Sequence, residues 1–421
     1  MSDAQFFEPE AEPAPPWAGV SLLDLFQASA GTQGDAAFLV EHGDTDEKRL
    51  GRADAVTAVR GMAREIRDLG LAPGRCIAIS LPGGKDAVIA LMAALACGLR
   101  PCLLPPVARE EQIAAVLEAA RPEAIVTIGR LASLRPAETL RRAAAAHGGP
   151  GLILAVGDGL PAGVIPLGRP QGLADAGERS LDPDPASRPP PILTCELTPG
   201  GAHVFRHQHE GLVAAALLLV LRAGIVSRQP ILSTLSPMSH AGLVSGLVPA
   251  LLVGGTLRMT PLFSGAALLR ALTEGDRPHL VAPGPLETAL AESGVLGDAC
   301  MSSTILAHRA PARFDRLPAA RRSGSPVVDL LSLGECASLA ARRGPGGRAG
   351  FALGETRIPE DDGALVLSLR ERVDGLLEAG GAAAGARGAA PTDPVDPWTR
   401  LDIVARADAE GAILAIGRPR G

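Results

Sequence analysis

His203, His207 and His209 lie close together and raise the question of a metal site. They lack the helical histidine pair with its accompanying carboxylate that a metalloprotease motif supplies, so the spacing points away from zinc chemistry. Ser239 beside His240 offers a hydroxyl and a base. Adjacent residues rarely face one another, however, and no Gly-x-Ser-x-Gly elbow accompanies them, which argues against a hydrolase. Cys195 and Cys336 are thiols that an acyl group could modify, but nothing nearby in sequence would depress a thiol pKa, and buried inert cysteine is the expectation. Pro199–Gly201 is glycine-rich yet shorter than a Walker loop and without its lysine, which excludes that class of NTPase. Lysine itself is nearly absent: only Lys48 and Lys85 occur.

These groups are carried by alternating elements. From Arg52 to Leu69 the apolar residues Val56, Val59, Met62, Ala63, Ile66 and Leu69 recur at three- and four-residue steps and predict one buried helical face. Cys76 to Leu81 is a short apolar run stopped by Pro82 and two glycines, followed by an apolar helical stretch from Asp86 to Cys97. The unit repeats as Pro101 to Leu104, a helix from Arg109 to Ala120, and a strand Ala124 to Ile128. Such alternation predicts an α/β fold with mainly parallel strands and crossover helices. Leu212 to Leu221 reads as a buried helix, Ile231 to Leu235 as a strand, and Leu247 to Thr256 as helix and turn. Beyond Gly344 short strands and glycine turns take over, including Ala364 to Leu369, and the Gly/Ala stretch from Ala379 to Ala390 is expected to be flexible. No repeat of fixed period stands out.

The expected organisation is a disordered acidic, Pro-rich tail over 1–18, a first α/β subdomain over 19–185, and a second over 186–344. A small β-rich subdomain follows over 345–400, then a hinge-like end over 401–421. The Pro-, Asp- and Ser-rich stretch from Gln171 to Pro191 marks the linker between the first two.

Composition narrows the function classes. Apolar residues make up 47% of the chain and charged residues 20%, a globular balance. The net charge of −6 has no basic stripe behind it, so a nucleic-acid partner is not expected. Tyrosine is absent and aromatics reach only 2%, leaving few rings to stack on a base. The six cysteines form no close pairs, and the N-terminus is the opposite of a positively charged signal start, so a cytoplasmic protein with reduced thiols is expected. The longest uncharged stretch, Ala241 to Leu257, is too short and too broken for a membrane span.

The order of segments resembles the N-terminal domain of the AMP-forming acyl-CoA synthetase (class I adenylate-forming, AMP-dependent synthetase/ligase) superfamily. The run "REIRDLGLAPGRCIAISLPGGKDAVIALMAALACGLRPCLLPP" is similar to its opening. "CELTPGGAHVFRHQHEGL", Cys195 to Leu212, takes the place of its phosphate loop: Thr198 and Gly200 match, Glu196 puts a negative charge where phosphate would sit, and His203 replaces the lysine. "LSTLSPMSHAGLVSGLVPALLVGGTL" resembles the segment whose histidine borders the carboxylate pocket, with His240 in that position. "STILAHRAP", Ser303 to Pro311, replaces both adenine-side glycines with His308 and Arg309, whose side chains would crowd the ring. Of the Tyr-Gly-x-Thr-Glu motif, read here as Leu331 to Glu335, only Glu335 survives. "DPWTRLDIVARADAEGAILAIGRPRG" keeps Asp402, Gly411, Gly417 and Arg418.

The resemblance covers roughly residues 20 to 421 and implies two stacked α/β subdomains plus a small β-rich one. It implies ATP/AMP and Mg as cofactors: Thr198 and Gly200 on the phosphates, Glu335 on magnesium, Asp402 and Arg418 on ribose, His240 beside the acid. Glu335 and His240 are the catalytic candidates. The partners implied are a carboxylic acid or acyl ligand and a CoA or carrier-protein thiol. The family's C-terminal lid domain, which carries the lysine for adenylate formation, is expected to be absent from this chain. Three readings follow: a degenerate synthetase-like protein that binds a carboxylate or acyl-adenylate-like ligand, an active ligase completed by a separate lid domain, or a non-catalytic scaffold docked on a synthetase.

Overall fold

The computed structural model describes residues 14–32, 36–167, 189–261, 263–296, 300–316, 325–344, 347, 349–358, 363–390 and 396–419. Most of the expected linker over 171–191 and most of the expected tail therefore lie outside the described residues. The tail expectation fails at its end, where Trp17 is buried in the core: a large aromatic ring gains more from burial than a short terminal segment loses in freedom.

Three sheets make up the fold. The first has eight strands in the order Ala386–Arg387, Gly201–His207, Ile192–Thr198, Arg100–Leu103, Cys76–Ser80, Ala124–Ile128, Leu152–Val156 and Ile165–Pro166. From Ile192–Thr198 onward in that order all pairs are parallel. The second, also eight-stranded, runs Ala337–Arg342, Val327–Leu333, Ser303–Arg309, His279–Pro283, Ile231–Ser233, Leu257–Met259, Ala37–His42 and Glu47–Gly51, with antiparallel pairs only at its two edges. The third is antiparallel and six-stranded: Ala312–Arg313, Ile413–Gly417, Trp398–Ala407, Leu376–Gly380, Ala364–Glu371 and Gly354–Ile358.

The sheets exchange segments across the expected boundaries. Strands 37–42 and 47–51 join the second sheet, strands 192–198 and 201–207 join the first, and residues expected to be a hinge-like end supply two neighbouring strands of the third. Two helices, Lys85–Ala96 and His209–Ala223, are apolar nearly all round and lie in the main core, the first packing on strands of both eight-stranded sheets. Close approach depends on glycine here: a Cβ on Gly211 would sit 2.3 Å from the Ala382 carbonyl oxygen.

That contact corrects the expected flexibility of 379–390. Ala379, Ala383 and Ala389 are buried, and the stretch contributes the strand Ala386–Arg387 to the first sheet. Its small residues admit neighbouring backbone and rings instead of conferring freedom. Among the described residues no helix is long and apolar enough to cross a membrane.

Candidate functional site

The ends of four strands and one helix start meet at a cluster of opposed charges. Alternation along strand Ile192–Thr198 sends Cys195 inward, its Sγ 3.5 Å from that of Cys102, and turns Glu196 to the other face. The strand then closes on Gly201–His207 through the two-residue turn Pro199–Gly200, with Thr198 paired to Gly201. A hairpin this tight commits its backbone to the ladder, and its turn contains a proline without an N–H, so no run of amides is gathered to cradle phosphates. Thr198 and Gly200 sit at this hairpin tip, the Thr198 carbonyl accepting from Gln112 Nε2 at 2.9 Å.

Glu335 lies in the turn between Val327–Leu333 and Ala337–Arg342 and is buried. Its Oε2 accepts from the His240 backbone N–H at 2.7 Å. Arg309 spans the two acids, 3.7 Å from Glu196 Oε1 and 3.7 Å from Glu335 Oε1, and Arg418 stands 3.8 Å from Glu196 Oε1. Glu196 also lies flat on Gly334, whose φ is +60°; a Cβ there would meet its Oε2 at 2.3 Å. Burial, with Glu196 adding to it, pushes the Glu335 carboxyl up to about 7 against the opposing pull of Arg309 and the His240 N–H.

His207 and His240 stack with centroids 4.7 Å apart. His207 Nε2 is 3.0 Å from the Glu335 carbonyl and 3.0 Å from Thr194 Oγ1, and Thr194 Oγ1 donates to the same carbonyl at 3.1 Å. Burial lowers His207 to about 4 and drives His240 well below its ordinary value, with His207 adding to the second shift. Both rings are neutral at neutral pH. His240 Nδ1 lies 3.1 Å from Ser338 Oγ, and its Nε2, also buried, has no hydrogen-bond partner. With Ser338 donating to Nδ1, Nε2 carries the ring proton and is a donor for an acyl or carboxylate oxygen. The helix that begins at His240 widens into a π-turn over Leu243–Leu247, and Ser239 caps it by accepting from the Gly242 N–H at 3.1 Å.

The three sequence-clustered histidines separate. His209 accepts from the Leu22 N–H at 3.0 Å and reaches the Pro190 carbonyl, while His203 lies 3.5 Å from Asp402. Asp402 is further engaged by Arg387 at 3.3 Å and contacts neither Glu335 nor His240 through an ion pair. Cys336 is buried, its thiol donates to the Gly385 carbonyl, and burial pushes it up to about 12, an inert thiol as expected.

His308 departs from expectation. Neighbours on a strand face opposite ways, so only one of His308 and Arg309 can face the cleft. His308 turns into the body of the protein, where its Nε2 meets Asp329 Oδ1 at 2.7 Å, and only Arg309 faces the acids. Arg343 completes the buried group, its Nε 2.7 Å from Asp329 Oδ2 and its Nη1 2.5 Å from Glu287 Oε1. Burial alone would raise Asp329, but Arg343 and His308 hold it below the usual carboxylate range. Strand alternation is the sequence signal for this division.

The arrangement does not fit a magnesium–triphosphate. One Glu335 oxygen is taken by a backbone N–H, the other faces a guanidinium, and Glu196 occupies the approach.

The AMP-binding enzyme family model matches residues 26–169. No curated protein matches the chain. Among solved structures it is similar to a benzoate CoA ligase from Burkholderia xenovorans LB400, at 17% identity and TM-score 0.71 over 95% of this chain and 80% of that one. It is also similar to an anthranilate CoA ligase in complex with anthranoyl-AMP (14%, TM-score 0.70, 94% and 77%). A third likeness is to the N-terminal subdomain of Klebsiella oxytoca NpsA in complex with 3-hydroxyanthranilyl-AMSN (15%, TM-score 0.64, 94% and 100%). The fold is that of the N-terminal domain of adenylate-forming enzymes, and the chain resembles that superfamily.

Proposed function

We propose that this chain, built on the adenylate-forming fold, binds a carboxylate or acyl group at the His207–His240 end of its cleft and does not form an adenylate on its own. The observation that carries the reading is Arg309 bridging Glu196 and Glu335 where the family's nucleotide phosphates would lie. Arg309 and Arg418 face the two acids, so a triphosphate would have to draw these guanidinium groups away and meet Glu196. The acid end is built differently. His240 is neutral and buried, and its unpartnered Nε2 can donate to a carboxylate or acyl oxygen without the cost of burying a cation. Six cysteines, none of them joined in a disulfide, suit a reducing, cytoplasmic setting.

The reading is tested by incubating the chain with magnesium–ATP, a panel of aryl and aliphatic carboxylic acids, and hydroxylamine, alongside direct titration of the same acids. No hydroxamate, with saturable binding of at least one acid that His240→Ala abolishes, is the expected result. Hydroxamate formation by the isolated chain would overturn the reading.

A further inference from the structure

At the edge of the second sheet away from the charged cleft, three ligand-type side chains converge. His42 ends the strand Ala37–His42 and pairs in register with Glu47, which opens the antiparallel strand Glu47–Gly51. Glu274 follows directly on the helix Gly265–Thr273. His42 Nδ1 is 3.5 Å from Glu47 Oε2 and 3.7 Å from Glu274 Oε2, and the three atoms lie within 4.8 Å of one another.

The imidazole is the second, independent observation. Its side chain is 1% exposed, and neither ring nitrogen has a hydrogen-bond partner, nor does the buried Glu47 Oε2. Buried polar atoms left unpaired are costly, and His42 Nδ1 and Glu47 Oε2, 3.5 Å apart, call for a common partner. The remaining charges have other partners. Arg49 takes Glu47 Oε1; Arg258 donates to the Glu274 carbonyl at 2.7 Å; Arg270 donates to the Gly43 carbonyl at 3.0 Å and to that of Asp44.

We propose that His42, Glu47 and Glu274 form a three-ligand site for a zinc-type divalent cation that ties the hairpin of strands 37–42 and 47–51 to the end of helix 265–273. Zinc bonds of ~2.0–2.1 Å in a tetrahedron place ligand atoms ~3.3 Å apart, so the two observed separations need only a small closing movement. Three protein ligands leave a fourth position for water, and Glu274, with 38% of its side chain exposed, provides the solvent side. A hard cation such as calcium or magnesium would want more oxygen ligands than two carboxylates. The nearby positive charge of Arg49, Arg258 and Arg270 opposes a bound cation, and the bonds from the imidazole nitrogen and two carboxylates would have to offset it.

The test uses the full chain after chelator treatment, titrated with Zn²⁺ in competition with a chromogenic chelator, and with Co²⁺ followed by its visible absorption. One equivalent bound per chain is expected, with tetrahedral-type cobalt bands. Glu47→Gln and Glu274→Gln should each weaken zinc binding by ~10-fold or more, since each removes one of only three ligands, with far-ultraviolet circular dichroism unchanged. Because Glu274 is partly exposed, E274Q keeps the test valid if E47Q fails to fold. Failure of the wild type to compete with the chelator, or wild-type affinity in both glutamine variants, would overturn the proposal.

Discussion

Glu335 sits in a turn that leaves its carboxylate no solvent, and its two strongest local partners, the His240 N–H and Arg309, do not offset that burial. A carboxyl held up at about 7 contributes its stabilisation below the unfolded-state value, near 4.5, and loses it as pH rises through 7. Glu335→Gln should therefore be more stable than the wild type at pH 8, by on the order of 3 kcal/mol at most, with the difference vanishing by pH 5. Thermal melts of both proteins from pH 5 to 8 check this, and parallel pH profiles would count against it. Glu335 was visible in the sequence because it alone survived from a known motif, as was His240 from its position in another. Their joining through a backbone N–H, and the bridging by Arg309, were not visible, because the first needs a distant turn and a helix start to meet and the second depends on which face of its strand Arg309 takes.

The elements hold two devices that single residues do not reveal. The group His308–Asp329–Arg343–Glu287 buries three charges and joins two neighbouring strands to the helix Glu287–Glu292. Arg343→Met would leave Asp329 and Glu287 buried without their cation, and a loss of about 3–5 kcal/mol in denaturant-measured stability is expected. A smaller loss would mean that the acids neutralise themselves by taking up protons. The second device is Gly385, where a Cβ would fall 2.4 Å from His207 Cε1. Gly385→Ala should cost about 1–3 kcal/mol by overpacking and displace His207 from the His240 ring, read as a shifted histidine signal in NMR. Strands and helices of the α/β part were legible from periodicity, since apolar runs such as Cys76 to Leu81 leave few alternatives. The Gly/Ala stretch was not: the same composition serves a flexible linker and a tightly packed one, and only the neighbours decide.

At the scale of the molecule, the sheets draw strands from both sides of every expected subdomain boundary, so the fold closes as an interlocked whole. Sequence order foretold the layers but not this exchange, because pairings such as that of strand 192–198 with strand 100–103, inside the first sheet, are non-local. Buried histidines give the whole a shared acid weakness. Burial lowers His207 and His279 to about 4, and His209 and His240 also lie below their ordinary value. Their contribution is present above about 6.5, the unfolded-state value, and is lost as pH falls toward the folded values. Denaturant stability should accordingly decline from pH 6.5 to 4.5, and His279→Asn should reduce the slope.

On the proposed reading, charge already fills the nucleotide end of the cleft. Calorimetric titration of the folded chain with magnesium–ATP, beside the double variant Glu196→Ser, Arg309→Gly, decides the matter. The expected result is no binding tighter than about millimolar for the wild type, equivalent to about −4 kcal/mol, and a gain of ~10-fold or more in the variant. Micromolar binding of ATP by the wild-type chain would contradict it.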